Sequence, residues 1–258
     1  MDAPPEGRLS CPPPIKDQTT PRHHIMLPLS SSLMPPGPPW HYWRAGHPDV
    51  KEMSMARGTT LALPLHFHQE DQLAFILSGC RHFLIAGQPV HLTAGQALLI
   101  PAGTPHVSQD ADPARVGQTL CLNLYLTPGL PLDQADCAAL IQHCLGNRPS
   151  HVHLAAPPRL PLPMQDMSLT TSIQSLAQQA NMSREAYSRR FQRHYGLSPQ
   201  TFRLLQQLNH VKTQLRAGVG SLQAAMEAGF ADQSHMGRLF RRTFGTTPGR
   251  YRAGPLPR

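Results

Sequence analysis

The chain has 258 residues, 40% of them hydrophobic and 15% charged, and it carries a formal net charge of +8 at pH 7. This length allows two domains, each with a hydrophobic core of its own. No apolar run approaches a membrane-spanning length, and the charged, proline-broken start lacks the apolar core of a signal peptide. The composition therefore excludes a membrane-spanning protein, and we expect a cytoplasmic protein with no membrane partner.

Cysteine usage points to the same compartment. The five cysteines are odd in number and share no CxxC spacing; they are Cys11, Cys80, Cys121, Cys137 and Cys144. A reduced, cytoplasmic interior fits this usage best.

The first segment in chain order, residues 1–39, contains 11 prolines and shows no sustained periodicity. Such a composition buries too little apolar surface to fold, so we expect a disordered leader over 1–39.

Short β-type runs separated by glycine and proline follow, from about Lys51 to Leu126. The runs read TTLALPLHFH, QLAFILSG, RHFLIAG, PVHLTAG, QALLIPAG, PHVSQ and QTLCLNLYL. Strands at such regular spacing predict a sandwich or a small barrel. Apolar residues between Pro131 and Gly146 then predict one or two helices. These helices either cover the barrel or form a dimer interface, and we place the domain boundary at 40–146.

Two stretches of the β region resemble the paired motifs of the cupin barrel, namely HFHQEDQLAFILSG at 66–79 and GQALLIPAGTPH at 95–106. The second motif keeps the cupin spacing of its glycines, proline and His106. The first keeps both histidines, but Gln72 stands where a metal-binding cupin has glutamate.

The histidines of the two motifs predict one site. His66 and His68 point to the same face of a strand because side chains alternate, and His106 could join them. Three imidazoles can hold a zinc, iron or nickel ion, but the neutral amide of Gln72 is a weak replacement for a carboxylate ligand. We therefore assign His66, His68, Gln72 and His106 to a small-molecule effector pocket and keep a divalent metal on the three histidines as the alternative. Other histidines, His82 and His91 among them, are interpreted as surface or structural.

Prolines accumulate again over 147–163 and predict a linker. The remaining segment is basic, because residues 165–258 hold 13 Lys+Arg and 4 Asp+Glu, a net charge of +9, whereas residues 1–164 have a net charge of −1. A segregated basic domain is the expected footprint of phosphate contact. The alternative is a helical bundle with basic solvated faces.

This basic segment contains two copies of one pattern, SIQSLAQQANMSREAYSRRFQRHYG at 172–196 and SLQAAMEAGFADQSHMGRLFRRTFG at 221–245. Each copy predicts a short helix, a left-handed stop at Asn181 or Gly229, and a second helix that begins at a capping residue. Apolar residues at helical spacing predict one long helix between the copies; they are Phe202, Leu205, Leu208, Val211 and Leu215. Such a helix could hold two recognition helices about one DNA turn apart (~34 Å).

Residues 229–252, GFADQSHMGRLFRRTFGTTPGRYR, resemble the signature of the AraC/XylS family of bacterial transcription regulators. The resemblance extends from about residue 172 to 252, and prolines leave only 164–169 for the short helix that usually comes first. It implies that the two recognition helices contact bases through Glu185, Ser188, Arg189, Gln233, Ser234, His235 and Arg238. Further arginines are assigned to phosphate contact or solubilising charge; they are Arg190, Arg193, Arg241, Arg242 and Arg250.

The sequence thus predicts an α+β protein, with a cupin-like β-barrel followed by an all-α domain of two helix-turn-helix units over 164–258. We expect a non-enzymatic, sequence-specific transcription regulator that responds to a small-molecule effector. The expected partners are promoter DNA, RNA polymerase and a second copy of the chain. Two alternatives stay open: a metal-dependent cupin oxygenase or isomerase with an accessory DNA-binding domain, and a constitutive DNA binder with a purely structural barrel.

Overall fold

The computed structural model describes residues 39–109, 118–146, 152–156 and 171–251. The predicted leader, apart from Pro39, and the predicted short helix at 164–169 lie outside the described residues. The described part of the chain forms ten strands followed, with one interruption, by seven helices. No helix in the described ranges is long and apolar enough to cross a membrane. The α+β prediction is confirmed.

The strands form two sheets. The strand bounds are β1 Trp40–Trp43, β2 Val50–Gly58, β3 Leu63–His66, β4 Asp71–Ser78, β5 Cys80–Ile85, β6 Gln88–Thr93, β7 Gln96–Ile100, β8 His106–Gln109, β9 Thr119–Leu126 and β10 His153–Leu154. Sheet A has the order β1-β2-β9-β4-β7-β10, and sheet B has the order β3-β8-β5-β6. Neighbours are antiparallel, except that β10, which lies within the predicted linker, runs parallel to β7.

Strand β9 shows how the sheets divide two cores. Its sequence, TLCLNLYL, alternates with period two, so that Cys121 and Tyr125 point into the barrel while Leu122 and Leu124 point to the other face. The outward leucines pack beneath a helix, α1 (Gln134–Leu145), which buries Cys137, Leu140 and Ile141 on this face. The helix predicted after the barrel is therefore a single helix whose apolar side packs within the chain.

The remaining helices form the two predicted helix-turn-helix units. Their bounds are α2 Ile173–Gln179, α3 Arg184–Tyr195, α4 Pro199–Arg216, α5 Ser221–Glu227, α6 Gln233–Phe244 and α7 Pro248–Tyr251. The hydroxyl of Ser183 accepts from Ala186 N, and the carboxylate of Asp232 accepts from His235 N, so both predicted N-caps are formed. All five apolar residues predicted to line the long helix α4 are buried.

The helical domain is docked on the barrel. One buried apolar cluster continues from the barrel interior into the helices, and α6 contacts β3. Two hydrogen bonds cross the contact: the Tyr42 hydroxyl donates to the carbonyl of Phe244 (2.8 Å), and the Asn209 amide donates to the carbonyl of Phe67 (3.0 Å). The long helix α4 therefore joins the two helix-turn-helix units to each other and to the barrel.

A close backbone approach between the domains occurs at Gly245. This residue has φ +73°, and a Cβ there would lie 2.4 Å from Trp40 Cδ1. Gly196 has φ +76° and ends α3 in the same way, but nothing lies within 4 Å of the position of its Cβ. The two glycines thus share a backbone conformation and differ in their surroundings.

We expect Gly245→Ala to destabilise the protein clearly more than Gly196→Ala. The control should cost about 1–2 kcal/mol for the left-handed backbone alone, while the clash with Trp40 should add about 1–3 kcal/mol. Denaturant unfolding of the two variants measures the free energy of unfolding. Equal losses would show that the close contact with Trp40 does not form.

Candidate functional site

The first recognition helix, α3, presents a polar outer face. Glu185 and Arg189 are exposed, whereas Phe191 is buried on the opposite side of the helix. Ser188 is half-buried, and its hydroxyl donates to the carbonyl of Arg184 (2.8 Å). Two of the three residues predicted to contact bases on this helix are therefore accessible from solvent, and the third is partly covered.

The second recognition helix, α6, is divided along its length. Its first turn and the next one are exposed at Gln233, Ser234, His235 and Arg238, all predicted base readers. The Gln233 amide donates to the hydroxyl of Ser221 (2.7 Å) at the start of α5. The end of the helix is buried at Phe244, against the barrel. Helix-turn-helix proteins read bases with the N-terminal part of this helix, which is the part that stays accessible.

The arginines predicted to meet phosphate are exposed without exception; they are Arg190, Arg193, Arg241, Arg242 and Arg250. Arg193 also lines a cleft of about 610 Å³ between the end of α3 and the outer face of sheet B, where Leu84 and Val107 form the opposite wall.

Inside the barrel, the histidines of the two cupin motifs come together. His66 and His106 are direct partners across β3 and β8, with ring centroids 4.2 Å apart. His68 lies 5.0 Å from the His66 ring and 5.5 Å from the His106 ring. One ring nitrogen from each of the three lies within 4.8 Å of the others, and all three side chains are buried. The geometry thus allows three imidazoles to share one ion or one ligand group.

Backbone carbonyls orient two of these rings. Nδ1 of His66 lies 2.7 Å from the Pro64 carbonyl, and Nδ1 of His106 lies 2.9 Å from the Thr104 carbonyl. A carbonyl can only accept, so Nδ1 carries the proton in each ring and Nε2 keeps its lone pair. Neither nitrogen of His68 has a hydrogen-bond partner among the described residues.

Burial keeps this cluster uncharged. It lowers the pKa of His66 and His68 well below the ordinary value, and it lowers the pKa of His106 to about 4. Lys212, from the helical domain, lowers the pKa of His68 further. All three rings are therefore neutral at pH 7 and available as ligands or hydrogen-bond partners.

Gln72 belongs to a polar row inside the barrel that sequence analysis found only in part. Its amide donates to Asn123 Oδ1 (3.0 Å), and the Asn123 amide donates to the hydroxyl of Ser54 (3.2 Å). Gln72 Oε1 is buried and has no hydrogen-bond partner within the described ranges. A buried acceptor of this kind is costly unless something donates to it, which favours an incoming polar group. Asn123 was predictable as an amide on the inward face of QTLCLNLYL, where Cys121 and Tyr125 also lie.

A second group missed by sequence analysis joins the domains beside the histidines. Lys212 and Arg216 of α4 meet Glu52 of β2 and Glu70, which follows β3: Lys212 pairs with Glu52, and Arg216 Nη1 lies 2.7 Å from Glu70. Lys212 Nζ also lies 3.7 Å from Glu70 and 4.0 Å from the centroid of the Tyr125 ring. The Tyr251 hydroxyl donates to Glu52.

These charges stabilise each other out of water. Burial alone would raise the pKa of Glu70, but Lys212 and Arg216 outweigh burial and hold that pKa below its usual value. Burial alone would lower the pKa of Lys212, but Glu52 and Glu70 raise it. We call these four residues the interdomain ion cluster.

Comparisons with known proteins agree with both halves of the structure. Residues 51–120 match the cupin domain family, and residues 176–254 match a helix-turn-helix domain family. The chain is thus a cupin domain joined to a helix-turn-helix domain of the AraC type. Its helix-turn-helix half is similar to the DNA-binding part of AraC/XylS transcription regulators.

One relative and one solved fold illustrate this assignment. The HTH-type transcriptional regulator MtrA of Neisseria gonorrhoeae is 34% identical over 87 residues, which are 31% of this chain and 27% of that protein. The match therefore spans about a quarter of the relative's length. ToxT from Vibrio cholerae O395 has a TM-score of 0.52 at 9% identity, over 83% of this chain and 97% of that chain. ToxT bound to an unsaturated fatty acid has a TM-score of 0.50 at 9% identity, over 83% and 93%. At this identity the likeness concerns the fold alone.

The depressed pKa of the barrel histidines predicts that metal-free protein loses stability as the pH falls. In the unfolded chain these histidines bind protons below about pH 6.5, while in the folded protein they stay neutral. The contribution of these histidines to the free energy of unfolding should therefore be fully present above pH 6.5. It should decrease toward pH 4, by up to about 1.4 kcal/mol per pH unit for each histidine.

The measurement is denaturant unfolding between pH 7 and 5 in the presence of a chelator. His106→Gln should remove one histidine's share of the slope. A slope that does not change in His106→Gln would contradict the assignment.

Proposed function

We propose that this protein binds promoter DNA sequence-specifically through α3 and α6 and that a small molecule in the barrel controls this binding. The observation that carries the proposal is the division of α6. Its exposed beginning bears the predicted base readers, and its buried end lies against the barrel that contains the histidine cluster.

The chemistry of the two exposed faces suits base readout. Arginine can bind O6 and N7 of guanine with two hydrogen bonds, which Arg189 on α3 and Arg238 on α6 could each do. Glutamate accepts from N4 of cytosine, a role open to Glu185. The arginines farther along each helix, such as Arg242, would neutralise phosphates and carry no base preference.

DNA binding should separate these roles. Arg189→Ala or Arg238→Ala should cost about 1–3 kcal/mol at the cognate site and relax the preference at one base position, whereas Arg242→Ala should weaken all sequences alike. Affinity should also fall steeply with rising salt, since phosphate contacts release counterions.

Fluorescence anisotropy with promoter and scrambled duplexes, over a range of salt concentrations, measures both effects. Equal losses on both duplexes for all three variants would count against the assignment of base readers. Binding that is insensitive to salt would count against DNA binding as a whole.

The effector pocket that we propose lies between the histidine cluster and the polar row, at His66, His68, Gln72 and His106. A molecule with a donor for Gln72 Oε1 and acceptors or a metal-binding group for the imidazoles would satisfy the polar atoms there. A divalent metal on the three histidines is compatible with the same geometry, and their open nitrogens fit such an ion. A small-molecule screen combined with metal analysis of the purified protein distinguishes the two.

The interdomain ion cluster would couple this pocket to the DNA reader. Lys212 lies over the Tyr125 ring inside the barrel and also belongs to α4, which connects the two helix-turn-helix units. A ligand shifts an equilibrium only by binding its two states differently. A ligand that contacts Lys212 or displaces it from Glu52 would bind the docked and undocked arrangements with different affinity.

We predict that Glu70→Gln loosens the docking of the helical domain. The substitution leaves Lys212 and Arg216 with one carboxylate instead of two, and breaking a buried ion pair costs about 3–5 kcal/mol. Limited proteolysis of the full-length protein should become several-fold faster, and DNA binding should respond less to the effector. Glu227→Gln is the matched control, because Glu227 is exposed on α5 and lies outside the cluster. Unchanged proteolysis in Glu70→Gln would show that the cluster does not hold the domains together.

The alternative of a cupin enzyme is less well supported. The missing carboxylate ligand at Gln72 weakens a catalytic metal site. We therefore propose a regulator without enzymatic activity. A constitutive DNA binder with a structural barrel would be indicated if the screen yielded neither ligand nor metal.

RNA polymerase and a second copy of the chain are further proposed partners. The apolar face of α1 is used within the chain, so a dimer would require another surface. Sedimentation of the protein, alone and with promoter DNA, determines the number of copies bound.

A further inference from the structure

A second group of potential metal ligands lies on the outer face of sheet B. Cys80 and His82 are two residues apart on β5, so they share a face, and His91 of β6 is the direct cross-strand partner of His82. Their neighbours Arg81 and Phe83 point the other way, into the barrel, where Arg81 donates to Ser108. The group is therefore separated from the histidine cluster of the barrel by the thickness of the sheet.

The three side chains are close enough to share an ion. One ligand atom from each, the sulfur of Cys80 and a ring nitrogen of each histidine, lies within 4.8 Å of the others. Nδ1 of His82 and Nδ1 of His91 are 3.3 Å apart. Two nitrogens that each lie about 2.0–2.1 Å from a tetrahedral zinc ion are separated by roughly 3.3 Å.

We propose that Cys80, His82 and His91 form a zinc site. One thiolate and two imidazoles match the ligand preference of this borderline-soft ion. On binding, the S–H bond of Cys80 breaks, its proton leaves to solvent, and a bond from sulfur to zinc forms. Three protein ligands from the described residues leave the fourth tetrahedral position for water or an external ligand.

The surroundings of the group are consistent with this site. Cys80 and His82 are buried, and His91 is half-buried, so the site is shielded and still reachable from solvent. Burial lowers the pKa of both histidines, which keeps the rings neutral and able to coordinate at pH 7. A bound ion would join β5 to β6 near the end of the hairpin where Cys80 lies opposite Thr93.

This site is independent of the proposed DNA binding and would make the barrel responsive to zinc. Cys80 must lose its proton for this, because the thiolate and not the thiol is the metal ligand.

Cobalt(II) titration of the full-length protein tests the proposal. Tetrahedral cobalt gives visible absorption bands, and sulfur ligation adds a charge-transfer band in the near ultraviolet. The three barrel histidines contain no sulfur, so the near-ultraviolet band requires a cysteine ligand, and the cysteine variants identify which one. We expect this band to saturate at one cobalt per chain and to disappear when Zn²⁺ is added.

Cys80→Ser should abolish the band, and His91→Ala should weaken cobalt affinity at least tenfold. Cys137→Ser is the matched control, since Cys137 is also buried but lies on α1 outside the group, and it should retain the band. Absence of the band in the wild-type protein, its persistence in Cys80→Ser, or its loss in Cys137→Ser would overturn the proposal. If Cys80→Ser does not fold by circular dichroism, His91→Ala decides, because its position is half-buried and tolerates truncation.

Discussion

Three buried charges and one partly exposed charge, at the contact between the two domains, hold the helical domain in one arrangement on the barrel. Each of Glu52, Glu70, Lys212 and Arg216 would be expensive to remove from water alone, and each finds its opposite charge only when α4 lies against the barrel. Replacing such a set by apolar residues is often neutral for stability, so its value lies in fixing one docked arrangement over others.

The position of this ion cluster relates the two functional regions physically. Lys212 reaches over Tyr125 toward His68, and the ring of His68 lies 6.0 Å from that of Phe244 at the end of α6. A ligand among the histidines would therefore touch the same groups that fix the orientation of the recognition helix. The histidine cluster and the recognition helix α6 are connected directly, because Lys212 and Phe244 lie beside the barrel residues Tyr125 and His68.

Sequence reasoning predicted the elements that have one solvent-exposed face and one buried face, because these show a clear hydrophobic period. The capped, amphipathic helices α3, α4 and α6 follow from Ser183, Pro199 and Asp232, and most barrel strands follow from their turns. Strand β2 was missed because both of its faces are buried. Its inward face carries Glu52 and Ser54, polar residues that would normally indicate a solvent-exposed face. Strand β1 follows a proline-rich stretch, and β10 has only two residues, so neither has a recognisable period.

The candidate sites show the same limit. The meeting of His66, His68 and His106 could be predicted because two motifs fix their spacing, and the structure brings the three together. The ion cluster could not be predicted, since its members lie about 150 residues apart in the chain and an isolated lysine on a helix normally indicates a solvated face. His82 and His91 were interpreted as structural because their pairing depends on the register of a hairpin, which sequence spacing alone leaves undetermined.

The cleft beside α3 has a consequence for how the two halves of an operator would be held. The end of α6 is fixed against the barrel at Gly245 and Trp40, whereas the end of α3 faces open space between itself and sheet B. Helix α6 is thus fixed to the barrel at its end, and α3 is connected to it through α4. Helix α6 would set the position of the protein on the duplex, and α3 could tilt to follow local variation in groove width or helical twist. A regulator built in this way tolerates imperfect spacing on one side of its binding site and not on the other.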